Sequence, residues 1–379
     1  MSKIKFHIVS FDIPYPADYG GAIDVFYKIK SLSEAGCEIY LHCFEYGRER
    51  TERLNNLCKE VWYYPRKTGW NGLSFSYPYI VYSRRDDTLL QRLSNVDVPI
   101  LFEGIHCSFY ANHPALKRRT KILRVHNIEH DYYKQLAQKE RSNFSKIYLY
   151  AEAFLLKNYE KSLSNIDAAF CLSHADTLNF QKLYPKKTVA HIAPFHPFTS
   201  SDIPTGMGQY CLYHGNLKHP ENEEAALFLL EQVIPAISDT QFIIAGRNPS
   251  KTIKALCAKY QHCKLIENPD EAEMNRLISN AQINVLPTFQ RSGMKLKLLY
   301  ALYNGRHVVV NDDMLYGTGL ASVCNIANTA TEIIEEISRL IKTDFTDGMR
   351  ELRAYLLEAS YNNSTNAQRI ITFLQQKSL

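Results

Sequence analysis

The segment from Ile283 to Asn311 constrains the fold more than any other part of this sequence. It opens with an apolar run rich in β-branched residues, INVLPT, and closes with a second such run, HVVV, and each run predicts a buried strand. Between them lie a short polar turn and a helical pattern that ends at Asn304-Gly305. Strand, turn, helix and strand in this order form the unit of a parallel α/β sheet, because parallel strands need a crossover connection.

The turn at Ser292 and Gly293 is a candidate anion site. The pattern predicts that a helix begins at these residues, and free backbone N–H groups at a helix start bind anions. Arg291, Lys295 and Lys297 add three positive charges around the same turn, although the helix dipole favours acids there. The turn therefore predicts a phosphorylated ligand, and an ordinary exposed helix start is the alternative that the turn alone leaves open.

The predicted helix after this turn has an apolar side, formed by its leucines, and a separate side that carries a lysine and a tyrosine. At about 100° per residue, Gly293, Lys297 and Tyr300 share roughly 60° of arc, apart from the leucines. A lysine and a tyrosine one turn apart above a glycine turn form a rim suited to a phosphorylated ligand. An exposed lysine beside a rim tyrosine is the plain structural interpretation.

A chain of 379 residues predicts two domains. Strand patterns in the first half cover Lys5–Phe11, Cys37–Phe44, Val61–Tyr64, Pro99–Ile105, Lys121–His126 and Ala168–Ser173. Those in the second half cover Tyr210–Gly215, Gln241–Ala245, Lys264–Glu267, Ile283–Thr288 and His307–Asn311. Residues 196–208 are rich in Pro, Gly, Ser and Thr and predict a linker. The expected fold class is α/β, with two Rossmann-like parallel-sheet domains, residues 1–200 and 209–360, facing a cleft.

Composition limits the classes of protein. Charged residues make up 22% of the chain and hydrophobic residues 45%, as in an ordinary soluble protein. The nine cysteines form no C-x-x-C pair, which indicates reduced thiols and neither a zinc site nor a disulfide framework. The N-terminus lacks a signal-peptide layout, so we expect a cytoplasmic protein. No interleaved aromatic and basic pattern predicts nucleic-acid binding.

The first half carries an excess of positive charge. Residues 1–200 contain 27 Lys and Arg against 20 Asp and Glu. Such an excess fits peripheral contact with an anionic membrane or an anionic acceptor, and a random surface excess explains it equally well.

A second candidate anion site follows the first strand. There Gly20 and Gly21 sit at the predicted start of a helix, so this turn also offers backbone N–H groups. The string G-x-G-x-x-G occurs nowhere, which disfavours a dinucleotide-dependent oxidoreductase. Ligands of open parallel sheets bind at the carboxyl ends of the strands, so one anionic ligand could use both turns.

At this point a resemblance is apparent. Five motifs resemble those of GT-B glycosyltransferases of the retaining family 4 type: Pro14–Gly21, LRVHNIEHDYY at Leu123–Tyr133, YHGNLKHPENEEAALFLL at Tyr213–Leu230, FIIAGRNP at Phe242–Pro249, and the 291–311 segment. The resemblance spans nearly the whole chain. In such enzymes the last helix crosses back to the first domain, which would place residues 361–379 there.

The resemblance implies roles for particular residues. His126 corresponds to a histidine near the transferred sugar, and Arg247 joins the donor-binding set of Gly20, Gly21, Arg291, Ser292, Gly293, Lys295, Lys297 and Tyr300. Glu103, His106 and Glu129 lie at strand ends where acceptor contacts could form, or in ordinary loops. Ser292 and Tyr300 stand where the family usually has two glutamates, the second of which holds the nucleotide ribose. We expect the Tyr300 hydroxyl to replace one ribose contact.

The expected activity is retaining transfer of a sugar, of hexosyltransferase type, from a nucleoside diphosphate sugar to a glycan or lipid-linked acceptor in surface polysaccharide or glycoconjugate synthesis. No D-x-D string occurs, so we expect cationic side chains and no metal or other cofactor to stabilise the leaving diphosphate. A nucleotide-sugar epimerase of the same architecture and a non-catalytic scaffold or binding subunit are the alternatives. The sequence does not identify the sugar, the base or the acceptor.

Overall fold

A computed structural model describes residues 3–291, 293 and 295–377. The chain divides into two compact units. The first consists mainly of Met1–Pro197 and Tyr361–Leu379, and the second mainly of Phe198–Arg291 and Lys295–Ser360. The change from one unit to the other lies within the segment 196–208.

The first unit is built on a parallel sheet. Its strands are β1 Lys5–Ser10, β2 Glu38–Glu45, β3 Glu60–Pro65, β4 Ile100–Glu103, β5 Lys121–Val125, β6 Ala168–Cys171 and β7 Thr188–His191. They are ordered β3-β2-β1-β4-β5-β6-β7, and all described pairs are parallel. The central strands are buried on both faces, which explains their largely apolar sequences.

Helices cover this sheet. They are α1 Gly20–Glu34, α2 Tyr79–Tyr82, α3 Asp87–Asn95, α4 Glu129–Lys139, α5 Asn143–Ser162 and α6 His174–Leu183. Several begin at side chains that accept backbone hydrogen bonds, as Asp86 does from Thr88 and Leu89. The helices α4 and α5 are separate, because Glu140 ends α4 in an extended conformation.

The second unit repeats this architecture. Its strands are β8 Cys211–Asn216, β9 Phe242–Arg247, β10 Cys263–Glu267, β11 Ile283–Val285, β12 His307–Val310 and β13 Asn325–Ile326, ordered β10-β9-β8-β11-β12-β13. The helices are α7 Pro220–Phe228, α8 Lys251–Cys257, α9 Glu271–Asn280, α10 Leu296–Asn304, α11 Asp312–Leu315, α12 Ala330–Leu340 and α13 Asp347–Tyr361. The predicted α/β class with two parallel sheets is confirmed. The edge strands β7 and β13 were not predicted.

The last helix, α14 Asn363–Lys377, packs in the first unit. Its apolar side chains Ile370, Phe373 and Leu374 join the core that α1 and β1 form. The rings of Phe373 and Phe170 meet edge to face, with centroids 5.4 Å apart. None of the helices described here is long and apolar enough to cross a lipid bilayer.

Candidate functional site

In the first unit, the predicted glycine pair follows β1, the strand at which the strand order changes direction. β1 lies between β2 and β4, and open parallel sheets bind ligands outside such switch points. Gly20 and Gly21 are the first residues of α1, whose first turn holds no acidic side chain. A Cβ atom on Gly21 would approach the ring of Phe11 to 2.7 Å, so the close packing favours glycine. The start of α1 therefore has the backbone geometry and dipole that suit a small anion.

His126 follows β5 directly and is held by a buried carboxylate. Its Nε2 atom lies 3.1 Å from Oε2 of Glu103, the last residue of β4. Glu103 is fully buried and forms a 2.9 Å ion pair with Nζ of Lys28. The imidazole also packs edge-on against Phe11, with centroids 5.4 Å apart. These contacts fix the orientation of the imidazole, because Phe11 packs against the ring and Glu103 binds its Nε2 atom.

Two further residues complete a buried ion-pair network with Lys28 and Glu103. The Nζ atom of Lys28 donates to Oδ2 of Asp24 at 2.9 Å, and Arg124 donates to Oδ1 of the same carboxylate at 3.0 Å. Arg124 also donates to the backbone oxygens of Ile192 and Ala193. Two carboxylates thus face two cations, which is the condition under which charges are tolerated in a protein interior.

The network keeps both carboxylates ionised. Burial alone would raise the pKa of Asp24, but the charges of Arg124 and Lys28 outweigh it and hold that pKa well below its usual range. Burial also opposes ionisation of Glu103, whereas the charge of Lys28 and the hydrogen bond from His126 lower its pKa. An ionised Glu103 accepts a hydrogen bond from the Nε2–H group of His126, and in this tautomer the neutral imidazole would have its lone pair at Nδ1.

Asp24, Glu103 and His126 also offer donor atoms that lie within 4.8 Å of one another, close enough to hold a cation. Lys28 already donates to both carboxylates. We therefore assign these side chains to the ion-pair network.

The structure corrects the predicted role of Glu103. The sequence placed it among acceptor-side residues because it ends a strand, yet its side chain is fully buried and committed to Lys28 and His126. A carboxylate with no exposed surface does not contact an acceptor, and Glu103 supports His126 instead.

The other two predicted acceptor-side residues are also largely enclosed. Glu129, the first residue of α4, accepts a hydrogen bond of 3.3 Å from Asn127. Burial raises the pKa of Glu129 to about 8, and this hydrogen bond only partly opposes it. Among the residues that the structure describes, the buried Nδ1 atom of His106 has no hydrogen-bond partner, and burial lowers the pKa of His106 well below its usual value. Burial thus favours the uncharged form of both side chains.

In the second unit, Lys297 lies at the corresponding switch point, where β8 runs between β9 and β11. Its Nζ atom donates to Oδ1 of Asn222 at 2.7 Å and lies 3.4 Å from the hydroxyl of Tyr213. The same ammonium group sits 5.1 Å from the centre of the Tyr213 ring. Three elements, β8, α7 and α10, thus position a single cation.

Lys297 is not the exposed cation that the sequence suggested. Burial lowers its pKa to about 7, the nearby charge of Lys295 lowers it further, and Glu221 opposes the shift. The residue as a whole is half-buried, and its ammonium group is enclosed by Asn222 and the ring of Tyr213. A partly desolvated ammonium binds a phosphate more strongly than one that is fully hydrated, because it has less water to lose.

The helix beside Lys297 begins later than predicted. α10 starts at Leu296 with Lys295 as the capping residue, three residues after Gly293. Gly293 has a φ of +73°, a left-handed conformation that excludes it from a right-handed helix. Ser292 lies outside the described residues.

The predicted cations differ in their surroundings. The guanidinium of Arg291 is exposed and forms a 2.6 Å ion pair with Asp313 at the start of α11. Arg247 ends β9 and is exposed. Lys295 is half-buried next to Lys297 and raises the local positive potential. Of the predicted cations, Lys297 has the most enclosed charge.

Tyr300 occupies a defined but different environment from the one predicted. Its hydroxyl donates to Oδ1 of Asn275 at 2.6 Å, and its ring stacks on Phe198 with centroids 4.8 Å apart. The ring of His214 meets it edge-on at 5.9 Å. The hydroxyl of Tyr300 has a single proton, which it donates to Asn275, but it keeps its lone pairs. It can therefore accept a hydrogen bond from a ligand but cannot donate one to it.

Several site residues escaped the sequence analysis. His214 is buried beside Lys297; burial and the lysine charge lower its pKa to about 3, and its Nε2 atom has no partner within the described part of the chain. Asn222 and Tyr213, which hold Lys297, were also missed. One signal was available for the ion-pair network: Asp24 and Lys28 stand four residues apart inside an apolar helix, where unpaired charges are rare.

Comparisons with known proteins indicate the family and the architecture to which this chain is similar. Residues 208–343 match the family model described as Glycosyl transferases group 1. A Klebsiella pneumoniae protein described as an uncharacterized 44.6 kDa protein in the cps region is 29% identical over 339 residues, covering 83% of this chain and 84% of that protein.

Among solved structures, an E. coli structure titled as trehalose-6-phosphate bound with UDP-2-fluoro glucose matches with a TM-score of 0.64 at 10% identity, over 98% and 99% of the two chains. Arabidopsis thaliana UGT89C1 complexed with UDP-L-rhamnose matches with a TM-score of 0.61 at 11% identity, over 100% of both chains. At such identities these matches establish the architecture.

Proposed function

We propose that this chain, a glycosyltransferase with the GT-B architecture, is a retaining enzyme that transfers a sugar from a nucleoside diphosphate sugar to a glycan or lipid-linked acceptor. The relative in a cps region supports a role in surface polysaccharide synthesis. The retaining outcome is supported by the resemblance of the 123–133 and 291–311 segments to enzymes of the family 4 type.

The observation that carries the proposal is the environment of Lys297. It lies within the segment matched by the glycosyl transferases group 1 model, at the switch point of the sheet, and its ammonium is held by Asn222. Transfer from a nucleoside diphosphate sugar develops negative charge on the departing diphosphate. A preorganised cation in a partly desolvated position stabilises that charge without reorganisation.

In the first unit, His126 has the role of a positioning group. Its Nδ1 lone pair can accept a hydrogen bond from a sugar hydroxyl, because Glu103 holds the proton on Nε2. In a retaining reaction of this kind the departing phosphate takes the acceptor proton, so the protein supplies no separate base. We therefore expect His126 to affect sugar recognition more than proton transfer.

Two experiments test the proposal. Thermal unfolding in the presence of UDP, GDP, ADP and CMP identifies the base, since a ligand of the folded state raises apparent stability by RT ln(1 + [L]/Kd). Proton NMR of the product formed from the matching donor then gives the anomeric configuration. A product with the donor's configuration supports the proposal, an inverted product refutes the retaining reaction, and the absence of any nucleotide binding refutes the donor class.

A further inference from the structure

We infer that the first unit binds the surface of anionic lipid bilayers through an aromatic face formed by Trp70, Leu73, Phe75, Phe144, Ile147 and Phe154. We call this set the aromatic face. The inference goes beyond sugar transfer and does not depend on it, because none of these residues belongs to the candidate site.

One part of the aromatic face is a loop. Trp70 is 89% exposed and the side chain of Phe75 is completely exposed, with Leu73 between them also open to solvent. Large aromatic side chains normally find cover in a folded protein, since each buries a large apolar area. Two exposed aromatic side chains and one exposed leucine within six residues of a loop indicate a surface that is covered in use.

The other part is a helix. On α5, Phe144, Ile147 and Phe154 are 85%, 70% and 66% exposed. Their spacing of three and seven residues places them on one side of the helix, because an α-helix repeats every 3.6 residues. The opposite side of α5 holds the buried Ala153, Leu156 and Tyr159. The helix is therefore apolar on its solvent side as well as on its packed side.

Loop and helix adjoin in the same unit. The carboxylate of Glu152 on α5 accepts a hydrogen bond of 2.8 Å from the backbone N–H of Tyr79, just after the loop. The rings of Tyr77 and Tyr159 lie 6.0 Å apart, which joins the end of the loop to the same helix. These contacts, made by the packed side of α5, hold the end of the loop against the helix that carries the other exposed group.

The charges around the aromatic face favour an anionic partner. Residues 66–85 contain no Asp or Glu, and Arg66, Lys67 and Arg85 are partly exposed there, whereas Arg84 is buried. On α5, the acidic Glu152 and Glu160 are buried, whereas Lys157 and Lys161 are exposed. Exposed aromatic side chains beside exposed lysines are the pattern of proteins that lie on a membrane surface, since the rings enter the headgroup layer and the cations meet anionic lipids.

A second copy of the chain is the less suitable occupant. Self-association through this face would bring two positively charged surfaces together, and like charges at an interface oppose binding. A bilayer containing anionic lipid satisfies both the apolar and the charged parts of the surface. It would also bring a lipid-linked acceptor close to the enzyme.

The test uses the whole 379-residue chain and flotation with vesicles of phosphatidylcholine alone or with about 30% phosphatidylglycerol, whose anionic headgroups give the bilayer a negative surface potential. We expect the parent to bind the anionic vesicles and to lose binding in high salt. The double variant Trp70→Ser/Phe75→Ser should bind at least about tenfold more weakly, because two large apolar side chains no longer enter the bilayer. Phe144→Ser/Phe154→Ser should show a similar loss.

Matched controls show whether the loss of binding is specific to the aromatic face or follows from replacing any exposed apolar side chain. Leu178 and Tyr355 are 60% and 71% exposed outside the aromatic face, so Leu178→Ser and Tyr355→Ser should bind like the parent. Lys157→Glu/Lys161→Glu should weaken binding to anionic vesicles, whereas Lys259→Glu should not.

Equal binding by the parent and the aromatic variants overturns the inference. A parent protein that binds no vesicles also overturns it. The same holds if the parent sediments as a dimer that the aromatic substitutions dissociate, because the face would then bind a second copy of the chain. Nucleotide affinity of each variant, measured in solution, shows separately whether the proposed function holds.

Discussion

The Nε2 atom of His126 lies 3.1 Å from a carboxylate oxygen of Glu103, and this contact determines which imidazole nitrogen carries the proton. Lys28, with its ammonium 2.9 Å from the same carboxylate, keeps Glu103 ionised. The orientation of His126 at the surface of the first unit thus depends on a pair of charges in its interior.

Glu103→Gln should therefore destabilise the protein. The substitution keeps the shape but leaves the buried ammonium of Lys28 with one counter-ion fewer, and breaking a buried ion pair costs about 3–5 kcal/mol. Urea denaturation measures the change in the free energy of unfolding. The matched control is Glu34→Gln, an exposed residue at the end of α1, which should change that free energy by no more than about 0.5 kcal/mol.

The double variant Lys28→Met/Glu103→Leu sharpens this test. Removing both charges together leaves no uncompensated ion, so it should be less destabilised than the sum of the two single variants. If Glu103→Gln instead unfolds like the parent and only weakens acceptor binding, the carboxylate is an acceptor contact after all.

The ion-pair network shows where sequence reasoning stops. The strand that ends at Glu103 and the helix that contains Lys28 were both predicted, because local apolar patterns report burial of an element. The contact between Lys28 and Glu103 depends on the order of the strands in the sheet. The strands β1 and β4 are neighbours in the sheet, although about 90 residues separate them in the sequence. A single sequence carries no signal for such a pairing.

Lys297→Met should weaken binding of the nucleoside diphosphate. A charge-assisted hydrogen bond is worth roughly 1.5–3 kcal/mol, which corresponds to a loss of about tenfold to a hundredfold. Isothermal titration calorimetry with the nucleotide selected by thermal unfolding gives the dissociation constants. As a control, Lys251→Met removes an exposed lysine from the start of α8 in the same unit and should bind the nucleotide like the parent. If Lys297→Met also binds the nucleotide as tightly as the parent, Lys297 is excluded from the donor site.

Binding of the diphosphate should depend on pH through the same lysine. In the free protein the pKa of Lys297 is lowered to about 7, so the group is largely uncharged at pH 8.5. Bound diphosphate favours the charged form and raises that pKa, so binding above pH 7 takes up a proton and the affinity falls as the pH rises.

Calorimetry at pH 8.5 in two buffers of different ionisation enthalpy measures this proton uptake directly. Lys297→Arg keeps a permanent charge and should bind without the uptake, because a guanidinium stays protonated in this range. Proton uptake that persists in Lys297→Arg would assign it to another group.

Tyr300→Phe tests whether the phenol contacts the donor ribose. The hydroxyl donates to Asn275, which leaves its lone pairs to accept one bond from a ribose hydroxyl. Loss of that neutral hydrogen bond should cost about 0.5–1.5 kcal/mol of nucleotide affinity. Asn275→Ala removes the intramolecular partner but keeps the hydroxyl and should bind nearly as the parent does. Should Tyr300→Phe and Tyr300→Ala both retain full affinity, the tyrosine serves only the packing against Phe198.

The 291–300 turn illustrates a different limit of sequence reasoning. Residue types and their order predicted a glycine turn, a following helix and a lysine that faces away from the leucines. The helix starts later because the backbone of Gly293 is left-handed, and a glycine in a sequence is compatible with either conformation. Burial of Lys297 depends on Asn222 and Tyr213, which belong to distant segments. The local pattern therefore identified the residue but not its electrostatic state.

Phe373→Ala should destabilise the first unit, although the residue lies near the end of the chain. Its ring is buried against Phe170 of β6 and belongs to the core shared by α1 and β1. Removing a buried phenylalanine typically costs 3–5 kcal/mol, because a cavity remains where the ring packed. Thr372→Ala, at the adjacent exposed position, should be nearly neutral. Hydrogen exchange of the β6 amides should accelerate in Phe373→Ala and not in Thr372→Ala, because α14 stabilises the first unit only if its apolar side completes that core.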